Sequence, residues 1–256
     1  MKISVLTPVY NGEQFIAECI ENVIAQNCPN VEHIIADGGS KDHTVAIIRQ
    51  YAERYPHIRW FSEPDRGQSD AMNKALKIAE GEIIGVLNID DLYEPNALNT
   101  VLEQFTTLPV PSLLVGNCWV WDEQSDRTFL NRPNALSLTN LLIGRTHLAN
   151  PAAYFYHASL HQQIGDYKVE EHYAMDVDFV LKASMIAHLK YIDVNLGRYR
   201  IYANTKTAID AQVGLSKQRY QTYLQTYTDK LPLTQRWIVQ GLRSLRNLRV
   251  TLQTSI

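Results

Sequence analysis

Two adjacent carboxylates, Asp90 and Asp91, follow an apolar run of the chain at Glu82–Leu87. A continuous apolar run of this length predicts a strand that is covered on both faces. Open α/β sheets bind their ligands at the carboxyl ends of such strands, so the two carboxylates are predicted to lie where a ligand binds. A pair of negative charges at that place favours a positive partner, and a divalent cation that carries a diphosphate is one.

Three predicted strand ends place polar or aromatic residues on one edge of the sheet: Thr7, Pro8 and Tyr10 after the first strand, Asp37 after the second, and Asp90 with Asp91 after the fourth. Because the carboxyl ends of parallel strands meet at one edge, we expect a single cleft that could hold a nucleotide. Tyr10 would flank the base, and Asp91 would bind the metal. Asp37 or Asp90 would accept a hydrogen bond from the base or the ribose. Each carboxylate taken alone could instead be a solvated loop residue or a helix cap.

The elements that position these residues follow from the periodicity of the apolar side chains. Up to about Val120, short apolar runs alternate with helical periodicity, which predicts an α/β fold with a Rossmann-like, mainly parallel sheet flanked by helices. Strands are predicted at Ile3–Leu6, Glu32–Ala36, Ile58–Phe61, Glu82–Leu87 and Leu113–Trp121, and helices from the N-cap Asn11 to Pro29 and at Thr44–Tyr55, Ser69–Ala79 and Pro95–Phe105. Beyond Val120 the alternation fades around one helix at Val177–Ala187, and two helices broken near Pro232 follow from Leu215.

Composition limits the classes of protein that fit. The 256 residues carry a net charge of −3 with a pI near 6.2, which argues against a protein that wraps nucleic acid. The cysteines, Cys19, Cys28 and Cys118, are odd in number and far apart, so neither a disulfide framework nor a zinc site is indicated, and a reducing cytoplasm fits. No apolar run approaches the roughly 20 residues that span a bilayer, so we expect a soluble protein or one attached only to a membrane surface.

Two common classes of nucleotide-binding protein are excluded because the chain lacks their motifs. The turn after the first strand reads Thr-Pro-Val-Tyr-Asn-Gly over residues 7–12 and lacks the Gly-x-Gly-x-x-Gly of a dinucleotide-dependent oxidoreductase. The chain also lacks the Gly-x-x-x-x-Gly-Lys-Ser/Thr of a phosphate-loop nucleotidase. The predicted cleft therefore indicates another class of nucleotide-binding protein.

Four segments resemble those of family 2 nucleotide-sugar glycosyltransferases. They are Thr-Pro-Val-Tyr-Asn-Gly-Glu at 7–13, Asp-Gly-Gly-Ser-Lys-Asp at 37–42, Glu-Pro-Asp-Arg-Gly-Gln-Ser-Asp-Ala-Met-Asn-Lys at 63–74 and Leu-Asn-Ile-Asp-Asp at 87–91. The chain most resembles the bacterial members that build exopolysaccharide and lipopolysaccharide repeats. The resemblance is dense from Lys2 to about Leu98, looser to about Thr207 and absent thereafter.

This resemblance implies an A-type glycosyltransferase fold, a nucleotide-diphosphate sugar as donor, usually a uridine one, and Mn²⁺ or Mg²⁺ as cofactor. The residues that it assigns to the donor are Thr7, Pro8, Tyr10, Asp37, Asp65, Asp70, Asn73 and Asp90. Asp91 would ligate the metal, because residues 88–91 form a variant of the family's Asp-x-Asp motif. Arg198 and Arg200 lie near a segment that often closes over the donor, so they are candidate phosphate clamps, with Arg200 counted among the donor-binding residues. They could equally be surface arginines.

A second acidic motif, His-Tyr-Ala-Met-Asp-Val-Asp at 172–178, resembles the helix start whose first aspartate is the family's general base. Inverting sugar transfer needs a base, since the acceptor hydroxyl must lose its proton as it attacks the anomeric carbon. A positioned carboxylate contributes about 10²–10⁴-fold to such a step. Asp176 is therefore the predicted catalytic residue. The simpler alternative is that Asp176 merely occupies the first turn of a helix, where the helix dipole favours a carboxylate.

Two weaker candidates are His147, for contact with the acceptor, and the aromatic run Tyr154–Tyr156, for contact with a sugar ring. Relatives often carry a histidine before the acceptor-side strand, but an isolated histidine is more often a structural residue than a ligand. The three aromatic residues are first of all candidates for the core, although tyrosines that line a cleft would also suit stacking on a sugar ring.

The end of the chain is basic, with seven Lys or Arg residues and one Asp after Leu215. An apolar stripe runs through it between four arginines: Trp237, Ile238, Leu242, Leu245, Leu248 and Leu252 among Arg236, Arg243, Arg246 and Arg249. This pattern suits a helix on an anionic membrane surface, and many relatives act on lipid-linked acceptors. The competing interpretation is that the stripe packs on the main domain or on a second subunit.

Together these features predict a metal-assisted inverting glycosyltransferase that moves a sugar from a nucleotide-diphosphate sugar to a glycan or lipid-linked acceptor. Residues 1–120 would form a nucleotide-sugar-binding half, 121–207 the acceptor-binding half of the same domain, and 208–256 a helical extension. We expect a cytoplasmic protein whose extension could touch the inner face of the plasma membrane. The alternative is a non-catalytic nucleotide- or sugar-binding module that has kept the fold. Such a module would tend to lose Asp91 and Asp176, and this chain has both.

Overall fold

The structure is a computed structural model that describes residues 1–123, 125–203 and 214–254, with side chains in the last helix described up to residue 248. The strands are β1 (Ile3–Val9), β2 (Val31–Asp37), β3 (Ile58–Ser62), β4 (Ile83–Val86), β5 (Leu92–Tyr93), β6 (Ser112–Asp122), β7 (Arg127–Asn131), β8 (Tyr154–His157) and β9 (His188–Ile201). The helices are α1 (Ile16–Ala25), α2 (Thr44–Arg54), α3 (Gln68–Ile78), α4 (Ala97–Phe105), α5 (Leu138–Leu142), α6 (Ser159–Ile164), α7 (Met175–Ser184), α8 (Leu215–Asp229) and α9 (Leu233–Thr254).

All of these strands belong to one sheet, in the order β3-β2-β1-β4-β8-β6-β9-β5, with β7 paired to β6. The ladders from β3 to β4 are parallel, as the βαβ alternation predicts. Beyond β4 the sheet is mixed, since β8 runs antiparallel to both of its neighbours while β6 and β9 are parallel. The predicted α/β fold with helical C-terminal extension is therefore confirmed.

The division into halves at residue 120 remains a prediction. Residue 120 lies inside β6, so the sheet runs without a break through the proposed boundary. The second boundary, at residue 207, lies outside the described residues. The C-terminal helices pack on the main domain, because the largest apolar core contains side chains from both of them: Tyr223, Leu224 and Tyr227 of α8 and Val239 of α9. In the described part of the chain, no helix combines the length and apolarity needed to cross a membrane.

The structure contains short elements that we did not predict, such as β7 and α6, and two longer elements differ from the sequence prediction. Helix α1 begins at Ile16 rather than after Asn11, which adopts a left-handed φ of 49° and takes part in a turn. Strand β9 covers 14 residues for which we predicted no strand. Its exposure does not alternate regularly, because it bends at a register shift against β6 near Asn117, so it lacks the period-2 signal on which strand prediction depends.

A buried carboxylate, Glu32, ties the amino-terminal ends of the first strands together, opposite the edge that carries the predicted site. The Glu32 side chain is 2% exposed. Its partners are the Ser4 hydroxyl at 2.5 Å, the Glu80 and Gly81 N–H groups at 2.7 and 3.1 Å, Arg59 Nη1 at 2.8 Å and Lys2 Nζ at 3.2 Å. Burial opposes ionisation, but these hydrogen bonds, led by that of Ser4, lower the pKa of Glu32 to about 2.

We expect Glu32→Gln to lower the free energy of unfolding by about 2–3 kcal/mol at pH 7, because it leaves the partners of a buried carboxylate unpaired. The loss should shrink as the pH falls from about 4.5 towards 2. A carboxylate whose pKa is depressed on folding stabilises the protein above its unfolded pKa, and that contribution disappears as the pH falls through the folded pKa. Urea unfolding at pH 7 and pH 3 measures both effects.

The matched control is Glu80→Gln, since Glu80 pairs with the same Lys2 and Arg59 side chains but is 63% exposed. We expect this change to cost no more than about 0.5 kcal/mol. Equal losses for the two variants, or a loss at Glu32 that does not depend on pH, would contradict the assignment.

Candidate active site

A cleft of about 710 Å³ opens at the carboxyl ends of β1 and β4. The first half of the chain contributes Pro8, Val9, Tyr10, Asp65, Gly67, Gln68, Ala71, Val86, Asn88, Ile89 and Asp90. The rest of the chain contributes Ala149, Asn150, Pro151, Tyr154, Tyr167, His172, Tyr173, Met175, Asp176, Tyr199, Tyr202 and Ser216. A volume of this size is typical of small-molecule sites. The structure therefore brings both acidic motifs, through Asp90 and Asp176, to one cleft.

The two neighbouring carboxylates have different surroundings. Asp90 is half-buried, lines the cleft and accepts a hydrogen bond from the side chain of Tyr202, and burial raises its pKa. Asp91 is 1% exposed, and its Oδ2 accepts hydrogen bonds from the side-chain amides of Asn88 and Asn150, both at 2.8 Å. Burial, together with the charge of Asp90, raises the pKa of Asp91 to about 8. Burial and their proximity therefore oppose simultaneous ionisation of the two carboxylates.

This donor set fits a divalent cation that is only partly bound by protein. Asp90 and Asp91 destabilise each other's charge, and a cation beside them would offset that repulsion. Among the residues that the structure describes, no cluster of three His, Cys, Asp or Glu side chains could hold a metal by itself. Mg²⁺ and ions like it are often held by one or two carboxylates and complete their coordination with substrate phosphates and water. The arrangement agrees with that kind of site rather than with a closed protein cage.

The residues at the carboxyl end of β1 are divided between the cleft and the core. Pro8 and Tyr10 line the cleft, and the Tyr10 side chain is 60% exposed and available for stacking. Thr7 is fully buried, with its hydroxyl 2.9 Å from Nε2 of the buried His33. The side chain of Thr7 therefore supports the strand from inside and does not face the cleft.

Asp37 organises the turn after β2. Its carboxylate is 1% exposed and accepts hydrogen bonds from the Gly39 and Ser40 N–H groups at 3.0 Å and from the hydroxyls of Ser40 and Ser62 at 2.5 and 2.6 Å. The Ser40 hydroxyl in turn accepts a hydrogen bond from the Asn11 N–H at 2.7 Å. Asp37 therefore fixes the loop that carries Tyr10, and it is not among the residues that line the cleft.

Asp65 lines the cleft just before α3, and Gly38 and Gly67 leave room for close contacts around it. A Cβ on Gly38 would lie 2.4 Å from Asp65 Oδ2, so only glycine leaves room for this carboxylate against the turn. Gly67 adopts a φ of 113°, donates its N–H to Asp65 Oδ1 at 2.8 Å, and lies so close to His172 that a Cβ would be 3.2 Å from Nδ1. These contacts bring the start of α3 against the segment that precedes α7.

Asp70 and Asn73 of α3 lie outside the cleft lining. Asp70 accepts a hydrogen bond from the Arg66 N–H at 3.1 Å and lies 3.6 Å from the amino group of Lys74. Asn73 is 7% exposed, and its amide exchanges two hydrogen bonds with the Tyr167 backbone, at 2.8 and 2.9 Å. Asp70 stabilises the start of α3, and Asn73 joins this helix to the second half of the chain.

Asp176 lies in the first turn of α7, half-buried, with Oδ1 2.8 Å from the Val177 N–H. It lines the main cleft and also a second cavity of about 30 Å³ that His147 shares. The His147 ring packs edge-on against Tyr220 at 5.8 Å between ring centroids. Asp176 is therefore not sealed behind packed side chains and can reach a molecule in the cleft.

The two arginines of β9 are engaged by protein groups. The Arg200 N–H lies 3.4 Å from Asp91 Oδ1, and its guanidinium stacks over Trp121 at 5.3 Å from the ring centroid. Arg198 forms an ion pair with Glu94 at 2.9 Å. Neither arginine is among the residues that line the cleft, so their role as phosphate clamps remains a prediction.

Several cleft residues were not singled out in the sequence. Tyr202 donates to Asp90, Asn150 holds Asp91, and both His172 and Tyr173 line the cleft beside Asp176. The position of His172 and Tyr173 within the second acidic motif was a usable signal. The sequence gives no comparable signal for Asn150 or Tyr202, because their partner carboxylates lie 59 and more than 100 positions away.

The aromatic run Tyr154–Tyr156 is buried, with exposures of 0–2%, as the core interpretation predicts. Tyr154 also lines part of the cleft. Tyr154 and Tyr156 pack against Phe179 of α7, with ring centroids 6.5 and 4.3 Å from it, respectively. The aromatic core therefore supports the helix that carries Asp176.

Comparison with known sequences identifies relatives of the chain. Chondroitin synthase of Escherichia coli is 33% identical over 103 residues, which make up 40% of this chain and 15% of that protein. Hyaluronan synthase of Pasteurella multocida is 26% identical over 231 residues, which make up 85% of this chain and 22% of that protein. The chain thus spans less than a quarter of the length of either relative.

Solved structures share the fold. TarS residues 1–349 of S. aureus, in complex with UDP-GlcNAc, gives a TM-score of 0.68 at 19% identity over 93% of this chain and 79% of that one. The mannosyltransferase PcManGT of Pyrobaculum calidifontis, in complex with GDP-Man and Mn²⁺, gives 0.63 at 15% identity over 95% and 80%. The implied A-type glycosyltransferase fold is confirmed by these similarities. Residues 4–161 also match the sequence profile of Glycosyl transferase family 2. This match covers more than half of the chain, which therefore belongs to glycosyl transferase family 2.

Proposed function

We propose that the chain is an inverting glycosyltransferase that moves a sugar from a nucleotide-diphosphate sugar, in the first place a UDP-sugar, to a glycan or lipid-linked acceptor. The observation that carries the proposal is that Asp90 and Asp176, one from each acidic motif, line the same cleft. Family membership supports sugar transfer as the reaction. The choice of uridine is supported by the TarS structures in complex with UDP and UDP-GlcNAc.

On the donor side, we assign the contacts with the nucleotide-sugar to residues that reach the cleft. Tyr10 would stack on the base, and the carboxylates of Asp65 and Asp90 would accept hydrogen bonds from the base or ribose. The remaining family positions, Thr7, Asp37, Asp70 and Asn73, would act indirectly by holding the loops and α3, since their side chains bond to protein groups.

Asp91, with Asp90 beside it, would hold Mn²⁺ or Mg²⁺. A cation bound there would neutralise the negative charge that develops on the leaving diphosphate. The raised pKa values of the two carboxylates support this, as does the presence of Mn²⁺ in the PcManGT structure. The amides of Asn88 and Asn150 would keep Asp91 in a fixed orientation.

Asp176 would act as the general base. Its carboxylate takes the proton of the acceptor hydroxyl as the hydroxyl oxygen attacks the anomeric carbon from the face opposite the diphosphate. The bond between the anomeric carbon and the diphosphate oxygen breaks, and its electron pair leaves with the nucleoside diphosphate. One attack from the opposite face inverts the configuration of the anomeric carbon. The half-buried position of Asp176 at the cleft suits a base that must meet an incoming acceptor.

The competing proposal is a non-catalytic nucleotide- or sugar-binding module. Both proposals need the donor side of the cleft, but only a transferase needs a carboxylate that faces it from another element. The placement of Asp176 in the cleft therefore favours the transferase.

We also propose a peripheral contact with the inner face of the cytoplasmic membrane, through α9. Six of its apolar side chains are 40–73% exposed: Leu233, Trp237, Ile238, Leu242, Leu245 and Leu248. The arginines contribute less than the sequence suggests, because Arg243 donates to the Leu142 carbonyl at 2.9 Å and Arg236 pairs with Asp229 at 2.6 Å. The side chains of Arg249 and Leu252 lie outside the described part of α9. The contact would therefore be chiefly apolar.

We expect Asp176→Asn to reduce turnover by about 10²–10⁴-fold while UDP affinity stays within about two-fold, because the change removes the base but keeps the shape of the side chain. Calorimetry with UDP and Mn²⁺ and a turnover assay with a panel of UDP-sugars and glycan acceptors measure the two quantities. The control is Asp166→Asn, at an exposed aspartate of the loop before α7, which should keep full turnover. Full turnover by Asp176→Asn would show that another group is the base, and a wild-type protein that binds UDP without turnover would favour the binding module.

We expect Asp91→Asn to abolish the Mn²⁺-dependent part of UDP binding, since it removes a carboxylate from the pair but leaves the neighbouring amides in place. UDP titrations with Mn²⁺ and with EDTA, on the wild type and the variant, separate the two parts of the affinity. The EDTA titrations should agree within about two-fold. Unchanged stimulation by Mn²⁺ in Asp91→Asn would remove this residue from the proposed metal site.

We expect the double variant Trp237→Ser/Leu248→Ser to lose most of the binding of the wild type to vesicles that contain phosphatidylglycerol, because burial of apolar area drives the proposed contact. Co-sedimentation measures the bound fraction. The control is Phe129→Ser, which removes an apolar side chain that is 54% exposed on β7 and should not change binding. Negligible binding by the wild type would refute the contact, and reversible dimer formation in sedimentation equilibrium would assign the apolar face to a second copy.

A further inference from the structure

Two buried carboxylates lie on either side of the proposed base. Glu171 precedes Asp176 by five positions and is 6% exposed, and Asp178 follows it by two and is 2% exposed. Burial alone would favour the neutral form of each. Against this, hydrogen bonds from the Tyr173 N–H and the Tyr223 hydroxyl lower the pKa of Glu171, and Lys182 and Tyr227 lower that of Asp178. Both groups therefore need their partners in order to stay charged.

Helix α8 supplies one partner to each. The Tyr223 hydroxyl donates to Glu171 Oε2 at 2.8 Å, and the Tyr227 hydroxyl donates to Asp178 Oδ1 at 2.6 Å. The two tyrosines are four positions apart, which puts them on one face of the helix, and their rings lie 6.3 Å apart. One face of α8 is thus hydrogen-bonded to the chain on both sides of Asp176.

The bond to Glu171 acts on the backbone that leads into α7. Glu171 Oε1 accepts hydrogen bonds from the Tyr173 and Ala174 N–H groups at 3.0 and 3.1 Å, so the carboxylate closes a turn immediately before α7 begins at Met175. Its other oxygen, Oε2, is the one that Tyr223 holds. Loss of the Tyr223 hydroxyl would free this carboxylate to rotate and would loosen the turn.

The bond to Asp178 acts one half-turn after the base. Asp178 Oδ2 pairs with Lys182 of α7 at 2.8 Å, and Oδ1 lies 3.3 Å from Lys168 Nζ in addition to the Tyr227 hydroxyl. The bonds from Lys168 and Tyr227 come from outside α7 and fix the rotation of this helix about its axis. That rotation determines how Asp176 points into the cleft.

Helix α8 is itself fixed by α9. The Arg243 guanidinium of α9 donates to Leu224 O at 3.2 Å and Thr228 Oγ1 at 2.7 Å, both on α8, and to Leu142 O of α5 at 2.9 Å. Tyr223, Leu224 and Tyr227 are buried in the main core. The two tyrosine hydroxyls therefore stand on a rigid support.

From this geometry we infer that Tyr223 and Tyr227 are positioning residues for Asp176, so that the C-terminal helices are part of the transfer machinery rather than an attachment. The inference rests on the proposed function, in which Asp176 is the base. The hydroxyls of Tyr223 and Tyr227 contact carboxylates and not the cleft, since neither tyrosine is among the described residues that line it.

The test uses Tyr223→Phe, Tyr227→Phe and the double variant in the full chain. We expect kcat to fall about 3–30-fold in each single variant and further in the double variant, because small displacements of a reacting group are costly to rate. The donor KM and the UDP affinity should stay within about two-fold. Assays run well below each variant's Tm separate this effect from unfolding. The control is Tyr51→Phe, which removes a tyrosine–carboxylate bond, to Glu21, from the opposite end of the chain and should leave kcat unchanged.

Hydrogen exchange gives a second readout that does not depend on turnover. The amides of Tyr173 and Ala174 should exchange faster in Tyr223→Phe than in the wild type, and Tyr51→Phe should leave them unchanged. Unchanged kcat and unchanged exchange in the variants of a turning-over wild type would overturn the inference, as would equal losses in kcat and in UDP affinity. A wild type without turnover would overturn the proposed function instead, and the exchange data would then still show whether α8 holds the turn.

Discussion

The cleft depends on keeping a carboxylate, Asp91, inside the protein at the end of a wholly apolar strand. A buried carboxylate without partners is strongly unfavourable, and Asp90 beside it adds repulsion. The described structure offsets part of this cost with two amides, Asn88 from the same turn and Asn150 from the second half of the chain. Asn150 also accepts the Ala152 N–H at 2.8 Å and so fixes the turn before β8. Because Asp91 must be hydrogen-bonded, Asn150 and the turn that it fixes are held beside the end of β4.

Polar contacts also join α3 to the segment that precedes α7. The Asn73 amide bonds to the Tyr167 backbone, and the Ser69 hydroxyl donates to the Glu171 carbonyl at 3.1 Å. Both residues belong to α3 and to the family segment at 63–74, and both partners precede α7. Because buried amides and hydroxyls must be paired, these bonds define one position of α3 against the segment before α7, whereas apolar contacts alone would tolerate sliding. The relative position of Asp90 and Asp176 is thus fixed by polar bonds that lie outside the cleft.

The sequence predicts what depends on local pattern. The apolar runs of β1, β2 and β4 and the stripes of α1 and α2 are visible in it, and the parallel order of these strands follows from the connecting helices. The directions of individual side chains could not be predicted from local pattern. Thr7, Asp37 and Asn73 stand at motif positions, yet all three point into protein, because their partners His33, Ser62 and Tyr167 come from other elements. Strand β9 and the cleft residue Tyr202 were missed for the same reason, since long-range pairing sets both.

The family match ends at residue 161, before α7 begins. Asp176 and the cleft residues from Tyr167 onward therefore lie in a part of the chain that the family profile does not cover. The residues before α7, from 165 to 174, form no strand and have no ladder to hold them. A short irregular segment of this kind is ordered only where other elements bond to it. Here those bonds come from Ser69 and Asn73 of α3 on one side and from Tyr223 of α8 on the other. An acidic side chain can be placed at a helix start by local sequence, but its direction in a cleft requires such supports. The helices that follow residue 214 thus complete a fold whose motifs all precede them.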